Sequence, residues 1–268
     1  MYKPTLEQVK AIATPPCVVP VCRELAADLE TPVSLYMKLR GAGPSFLLES
    51  VEGGERLGRY SFLGVKQALV LSSKGGKLSL YHPSRGKRDC RSLDRGDALD
   101  AVKEELARYQ PLLVGDLPRF FGGAVGYLAY DMVRFFECIP EENPDELGLP
   151  DSLFLFPASV VIFDHVKRTM RVVGLAYIED GVESAYRDAV ERIEEIASRL
   201  GTPLPRLEGR VGSSGGKLES NLTQVQFEQA VRGAKDYIAA GDIFQAVISQ
   251  RLQRRTQASP LAIYRALR

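Results

Sequence analysis

The feature that most constrains this chain is a twenty-residue stretch, Gly201 to Ser220. Five Gly, two Pro and three Ser make up half of it, and large apolar side chains are almost absent. Such a segment cannot bury enough surface to offset the entropy of ordering it, so it reads as a linker. It divides the 268 residues unequally, with 200 before it and 48 (268 − 220) after it. Forty-eight residues fall below the size at which a core usually stands without staples. The expected division is an N-terminal domain over 1–200, a linker over 201–220 and an incomplete second domain over 221–268. The alternative is a C-terminal appendage packed on the first domain.

Before the linker the patterning alternates between helix and strand. Leu6, Val9 and Ile12, then Glu24 to Leu39 around Thr31-Pro32, carry weak helical spacing. Phe46-Leu47-Leu48, Tyr60 to Leu63 and Ala68 to Leu71 read as strands, and Lys74-Gly75-Gly76-Lys77 as a hairpin turn into Leu78 to Tyr81. Ala98 to Tyr109 is amphipathic. Phe120 to Tyr130 is apolar, β-like and broken by glycines; Leu153 to Phe163 and Met170 to Tyr177 pair across the turn Asp164 to Thr169. Val182 to Leu200 is a helix with one apolar stripe, capped by Gly201.

After the linker, Thr223-x-x-Gln226 is a capping box that opens a helix ending at Gly241-Asp242. Phe244 to Leu252 alternates as a strand would, and Ser259-Pro260 begins another helix. Adjacent strands joined by short turns argue for an α/β chain of the α+β type, mostly antiparallel, against a doubly wound parallel sheet.

Composition removes several classes of function. Lys+Arg minus Asp+Glu is 35 − 34 = +1, so no overall basic field favours nucleic acid or anionic lipid. No apolar run approaches the roughly 20 residues that span a bilayer, and the N-terminus lacks a secretory profile; the expected compartment is the cytoplasm. Cys17, Cys22, Cys90 and Cys138 show no metal-ligand spacing, and two histidines, His82 and His165, do not suit a multi-histidine zinc site. No P-loop, GxGxxG, HExxH or GxSxG motif occurs.

Three segments remain as candidates for chemistry. GGAVGY, 122–127, has glycines in a β-like run, which serve either tight packing or ligand contact. In FLLESVEGGERLGRYSFLG, 46–64, Glu49 and Ser50 end an apolar strand; they either cap that strand or bind an ammonium and a carboxylate by charge-assisted hydrogen bonds. In IAAGDIFQAVISQR, 238–251, Gln245, Ser249 and Arg251 form a polar row, which faces solvent at a sheet edge or lines a polar pocket.

LLES at 47–50, RYSFLG at 59–64, GGAVGYLAYD at 122–131 and AKDYIAAGDIFQAVISQR at 234–251 follow one another in an order and spacing that resembles the N-terminal portion of the anthranilate synthase component I family. The large subunit of aminodeoxychorismate synthase is the nearest alternative, and the LLES and FQAVISQR wording favours anthranilate synthase. At the level of this chain alone, a non-catalytic effector-binding and partner-docking domain is the competing reading.

The resemblance implies packed, mostly antiparallel sheets flanked by helices. It implies a large subunit that converts chorismate and ammonia to anthranilate and pyruvate in tryptophan biosynthesis, with Mg2+ holding the substrate carboxylate. Ammonia would come from glutamine through an amidotransferase partner, anthranilate synthase component II, and L-tryptophan would act as feedback inhibitor. Ser50, Glu49 and Leu48 map onto the family's tryptophan site. Gln245 stands where water-adding relatives carry a lysine; a neutral amide cannot act as a base, which leaves Gln245 a role in positioning substrate. The family's magnesium ligands fall beyond residue 268, so no metal ligand is assigned and the chain alone is expected to be inactive.

Overall fold

In the computed structural model, residues 1–49, 58–92, 97–140, 144–205 and 216–268 are described. The chain forms two compact units, Met1–Pro205 and Arg206–Arg268.

In the first unit, among the described residues, nine strands form one sheet. They are β1 (Cys17–Ala26), β2 (Phe46–Leu48), β3 (Tyr60–Lys74), β4 (Lys77–His82), β5 (Lys87–Ser92), β6 (Gln110–Pro111), β7 (Val125–Leu128), β8 (Ser152–Asp164) and β9 (Thr169–Ile178). The order is β5-β4-β3-β8-β9-β1-β6, with β2 paired to β3 and β7 to β8. Only the two-residue β1–β6 pair is parallel. The sheet is therefore dominated by antiparallel pairs, as the runs of adjacent strands imply.

Central strands are buried on both faces, which explains their near-continuous apolar sequences. Along β8, Val161 and Phe163 join one buried cluster, while Val160 and Ile162 join another. The first cluster is covered by helices α1 (Leu6–Ile12), α2 (Pro32–Leu39) and α4 (Val182–Leu200), whose Val9, Leu35, Leu39, Ile193 and Ile196 pack on Val19, Val21 and Val172. Leu117, Phe120 and Phe121 pack against the second. Helix α3 (Ala98–Ala107) buries Ala101 and Val102 with Leu69, Leu71, Leu78 and Phe156.

Several local readings change. Glu24 to Ala26 end strand β1 and do not belong to a helix, because ten residues of β1 pair with β9 and bury Cys17, Val19 and Val21. The helix begins only after Thr31, whose hydroxyl accepts from the Ser34 N–H. Tyr60 to Leu63 and Ala68 to Leu71 are one strand, kinked where its register with β8 shifts between Leu63 and Leu69. Within Phe120 to Tyr130 only Val125–Leu128 is strand. There the glycine serves packing, since a Cβ on Gly126 would collide with the Leu153 carbonyl oxygen across the β7–β8 pair. The amphipathic helix stops at Ala107, leaving Tyr109 beyond it. Val182–Leu200 is helical over the range its stripe predicts.

The second unit contains α5 (Gln224–Ala240), α6 (Pro260–Leu267) and a two-stranded pair, β10 (Glu219–Ser220) with β11 (Leu252–Gln253). The Thr223 capping box is formed, and α5 ends in a left-handed Gly241. The predicted strand Phe244 to Leu252 is corrected. Only Leu252 of that run pairs, and the rest forms no ladder among the described residues. A strand needs a partner to become one, and alternation in the sequence supplies none.

Candidate functional site

The first candidate is the edge where β2 meets β3. Antiparallel pairing sets Phe46 against Gly64, Leu47 against Leu63 and Leu48 against Phe62. The LLES and RYSFLG segments are thereby brought side by side. The pairing is tight because Gly64 has no side chain; a Cβ there would run into the Phe46 ring. Phe120 then meets both aromatic neighbours edge-on, at 6.5 Å from Phe46 and 5.0 Å from Phe62. Leu48 is 42% exposed at the end of this wall, and Glu49 is half-buried just beyond it. Ser50 lies outside the described residues.

Next to this edge, Arg59 is fully engaged. Its Nη2 donates to Asp164 Oδ2 at 2.8 Å, and its Nε lies 3.2 Å from both carboxylate oxygens. Its guanidinium also sits over the Tyr60 ring, 4.9 Å from the centroid. Asp164 in turn accepts from the Val166 and Lys167 N–H groups, each at 3.0 Å. Burial would push the Asp164 carboxyl up, but Arg59 and the two backbone donors outweigh it and hold it below the usual carboxylate range. Ser61 Oγ lies 2.9 Å from His165 Nε2, and that ring packs on Phe163 at 4.8 Å. Among the described residues the edge thus combines an apolar, aromatic wall with the Glu49 carboxylate, and the adjacent Arg59 is paired with Asp164. That arrangement suits a ligand presenting an ammonium and an aromatic body. Asp164 escaped the sequence reading because its partner Arg59 is 105 residues away; its only local signal is its place before a turn.

The second candidate, the Gln245 row, lies in the other unit. Gln245 is exposed on the irregular run after Gly241, as are Ser249 and Arg251. Phe244 and Val247 beside it are 93% and 79% exposed. A reciprocal clasp anchors the far end of the run. The Arg251 N–H donates to Asn221 Oδ1 at 2.7 Å, and the Asn221 N–H returns to the Arg251 carbonyl at 3.1 Å. The row therefore faces solvent.

Among the described residues no group of three or more His, Cys, Asp or Glu side chains is placed to hold a metal ion. All four cysteines are free, and among the described residues no helix is long and apolar enough to cross a membrane.

Comparison with known proteins gives a consistent picture. The family model described as chorismate binding enzyme matches residues 43–268. The chain is 37% identical over 274 residues to anthranilate synthase component 1 of Acetivibrio thermocellus, covering 100% of this chain and 55% of that protein. It is 41% identical over 251 residues to the Thermus thermophilus component 1, covering 93% of this chain and 50% of the relative. The crystal structure of anthranilate synthase component I from Streptococcus pneumoniae is 28% identical, with a TM-score of 0.61 over 91% of this chain and 52% of that one. The chain spans about half the length of the curated relatives it matches.

Proposed function

The chain belongs to the family of chorismate binding enzymes, and on that premise we propose that it is the N-terminal half of an anthranilate synthase large subunit. The carrying observation is that the family match runs from residue 43 to residue 268, through most of the first compact unit and all of the second. The complete subunit would convert chorismate and ammonia to anthranilate and pyruvate, with loss of water. Ammonia would be delivered by a glutamine amidotransferase subunit, in the cytoplasm.

In this reading Glu49, Ser50 and Leu48 form the tryptophan feedback site. The β2–β3 register supports it, because it sets Leu48 opposite Phe62 and leaves the Glu49 carboxylate at the end of an aromatic wall. The ammonium of tryptophan would pair with Glu49, and its indole would lie along Leu48. Gln245, a neutral amide, would position substrate without activating water. Magnesium would be held by residues this chain does not contain.

The test is an assay for fluorescent anthranilate with chorismate, ammonia and magnesium. The 268-residue chain alone should give no signal above a protein-free blank. Fused to the remaining half of the Thermus thermophilus relative, it should give anthranilate. Signal from the chain alone, or aminodeoxychorismate as the product of the fusion, would contradict the proposal.

A further inference from the structure

A second, separate site lies in the first unit, where the sheet forks. Strands β8 and β9 pair only from Ser159↔Gly174 to Asp164↔Thr169. On the other side of that point, β8 runs with β3 and β7, while β9 runs with β1. Backbone carbonyls at the fork consequently face side chains in place of a neighbouring strand. Arg192 Nη2, from α4, donates to the Leu175 carbonyl at 2.8 Å, and the Tyr177 hydroxyl donates to the Pro157 carbonyl at 3.2 Å. A cavity of about 780 Å³ opens here, bounded by β3, β8, β9, the end of α3 and the turn Pro83–Arg85.

The charges around this cavity are unevenly satisfied. Lys66 pairs with Glu195, Lys87 with Asp89, and Arg108 with Glu105 and Glu179. Arg192, like Arg85 on the same lining, takes part in none of the ion pairs formed among the described residues, and its buried Nε has no hydrogen-bond partner there. Burial pulls the Arg192 guanidinium down from its ordinary pKa, with Asp188, Tyr177 and Glu191 only partly offsetting this. A half-buried cation without a counter-ion costs stability unless something supplies the charge. Gln67 lines the same cavity with an unmet acceptor, which calls for a donor and not for the carboxylate itself. It is 6% exposed, and its Nε2 donates to the carbonyls of Pro44 and Gly64, which fixes the amide and leaves Oε1 without a donor.

The cavity also has an aromatic wall, Tyr109 against Tyr177, edge to face at 5.0 Å. Burial and the neighbouring Glu179 carboxylate push Tyr109 up to about 12, so the phenol stays neutral and presents no competing anion.

We propose that this cavity binds a small organic carboxylate, with Arg192 receiving the carboxylate and the joined Tyr109 and Tyr177 rings walling one side of the ligand's apolar body. Guanidinium binds carboxylate and phosphate with the same planar fork. The carboxylates of Asp89, Glu105 and Glu179 on the same lining favour a monoanion over a phosphate bearing nearly two charges. Glu49 is not on its lining, and the site does not depend on the activity proposed above.

Titrating the 15N-labelled 268-residue chain with sodium benzoate, and in parallel with inorganic phosphate, tests the assignment by NMR. Benzoate should give saturable shifts at Gln67, Tyr109, Tyr177 and Arg192, with a Kd on the order of 1 mM. Phosphate should bind more weakly. R192Q should weaken benzoate roughly tenfold, the expected loss of a charge-assisted pair. Should R192Q not fold, R192K takes its place, since it keeps a donor for Leu175 but loses the planar fork. Shifts that do not saturate, shifts outside the cavity, tighter binding of phosphate, or a folded Arg192 variant with unchanged affinity would each overturn the proposal.

Discussion

Asp164 shows how one residue can carry more than its own position suggests. It is 7% exposed and accepts from Arg59 and from two backbone N–H groups at the β8–β9 turn. Its folded pKa lies below the ordinary value, so it stabilises the fold at pH above the unfolded carboxylate value of about 3.9. That contribution is lost as pH falls through the folded value. Asp164→Asn should therefore cost about 1.5 kcal/mol at neutral pH, toward the low end for hydrogen bonds to a charged group because Arg59 is one-third exposed. It should also flatten the loss of stability below pH 4. Urea midpoints of both proteins between pH 2 and pH 7 check this; parallel pH curves would refute the role. At this scale the sequence pointed to Glu49 and Ser50 as a strand-end pair, since both sit within one short motif. It could not point to Asp164 or Arg192, whose significance comes from partners more than a hundred residues away or from a fork in the sheet.

Elements differ in how much of them is local. Helix α4 spans the range its stripe of Ala189, Ile193 and Ile196 predicts, because helical hydrogen bonds close within four residues. Strand β1 was hidden under weak helical spacing, and the run 244–251 alternates like a strand yet forms none, because a strand is completed only by a neighbour. Hydrogen exchange at the element scale follows from that. Amides of Ala246 to Ser249 should exchange near their intrinsic rates, and those of Val160 to Ile162 in β8 should be strongly protected. The Arg251 amide, held by Asn221 Oδ1, should be slower than its neighbours and should lose that protection in Asn221→Ala. Protection at Ala246 to Ser249 equal to that of β8 would show a pairing the described residues lack.

At the scale of the molecule, the three buried clusters and the side chains packed on them draw only on residues between Tyr2 and Leu200. A chain ending at Pro205 should thus keep the cooperative thermal transition of the first unit to within about 4 °C, the equivalent of about 1 kcal/mol at this size. A larger drop in calorimetry would mean that residues after Pro205 hold that core together. The sequence by itself determined the antiparallel α/β character, the long C-terminal helix of the first unit, the Thr223 capping box and the family, through periodicities and motifs that are complete within a few tens of residues. Only the tertiary structure decided the order of the strands, the fork between β8 and β9, and which charges met partners. Those features rest on contacts between distant segments: a tight turn sets the register of the β3–β4 and β8–β9 hairpins, but no turn joins β3 to β8 or β1 to β9.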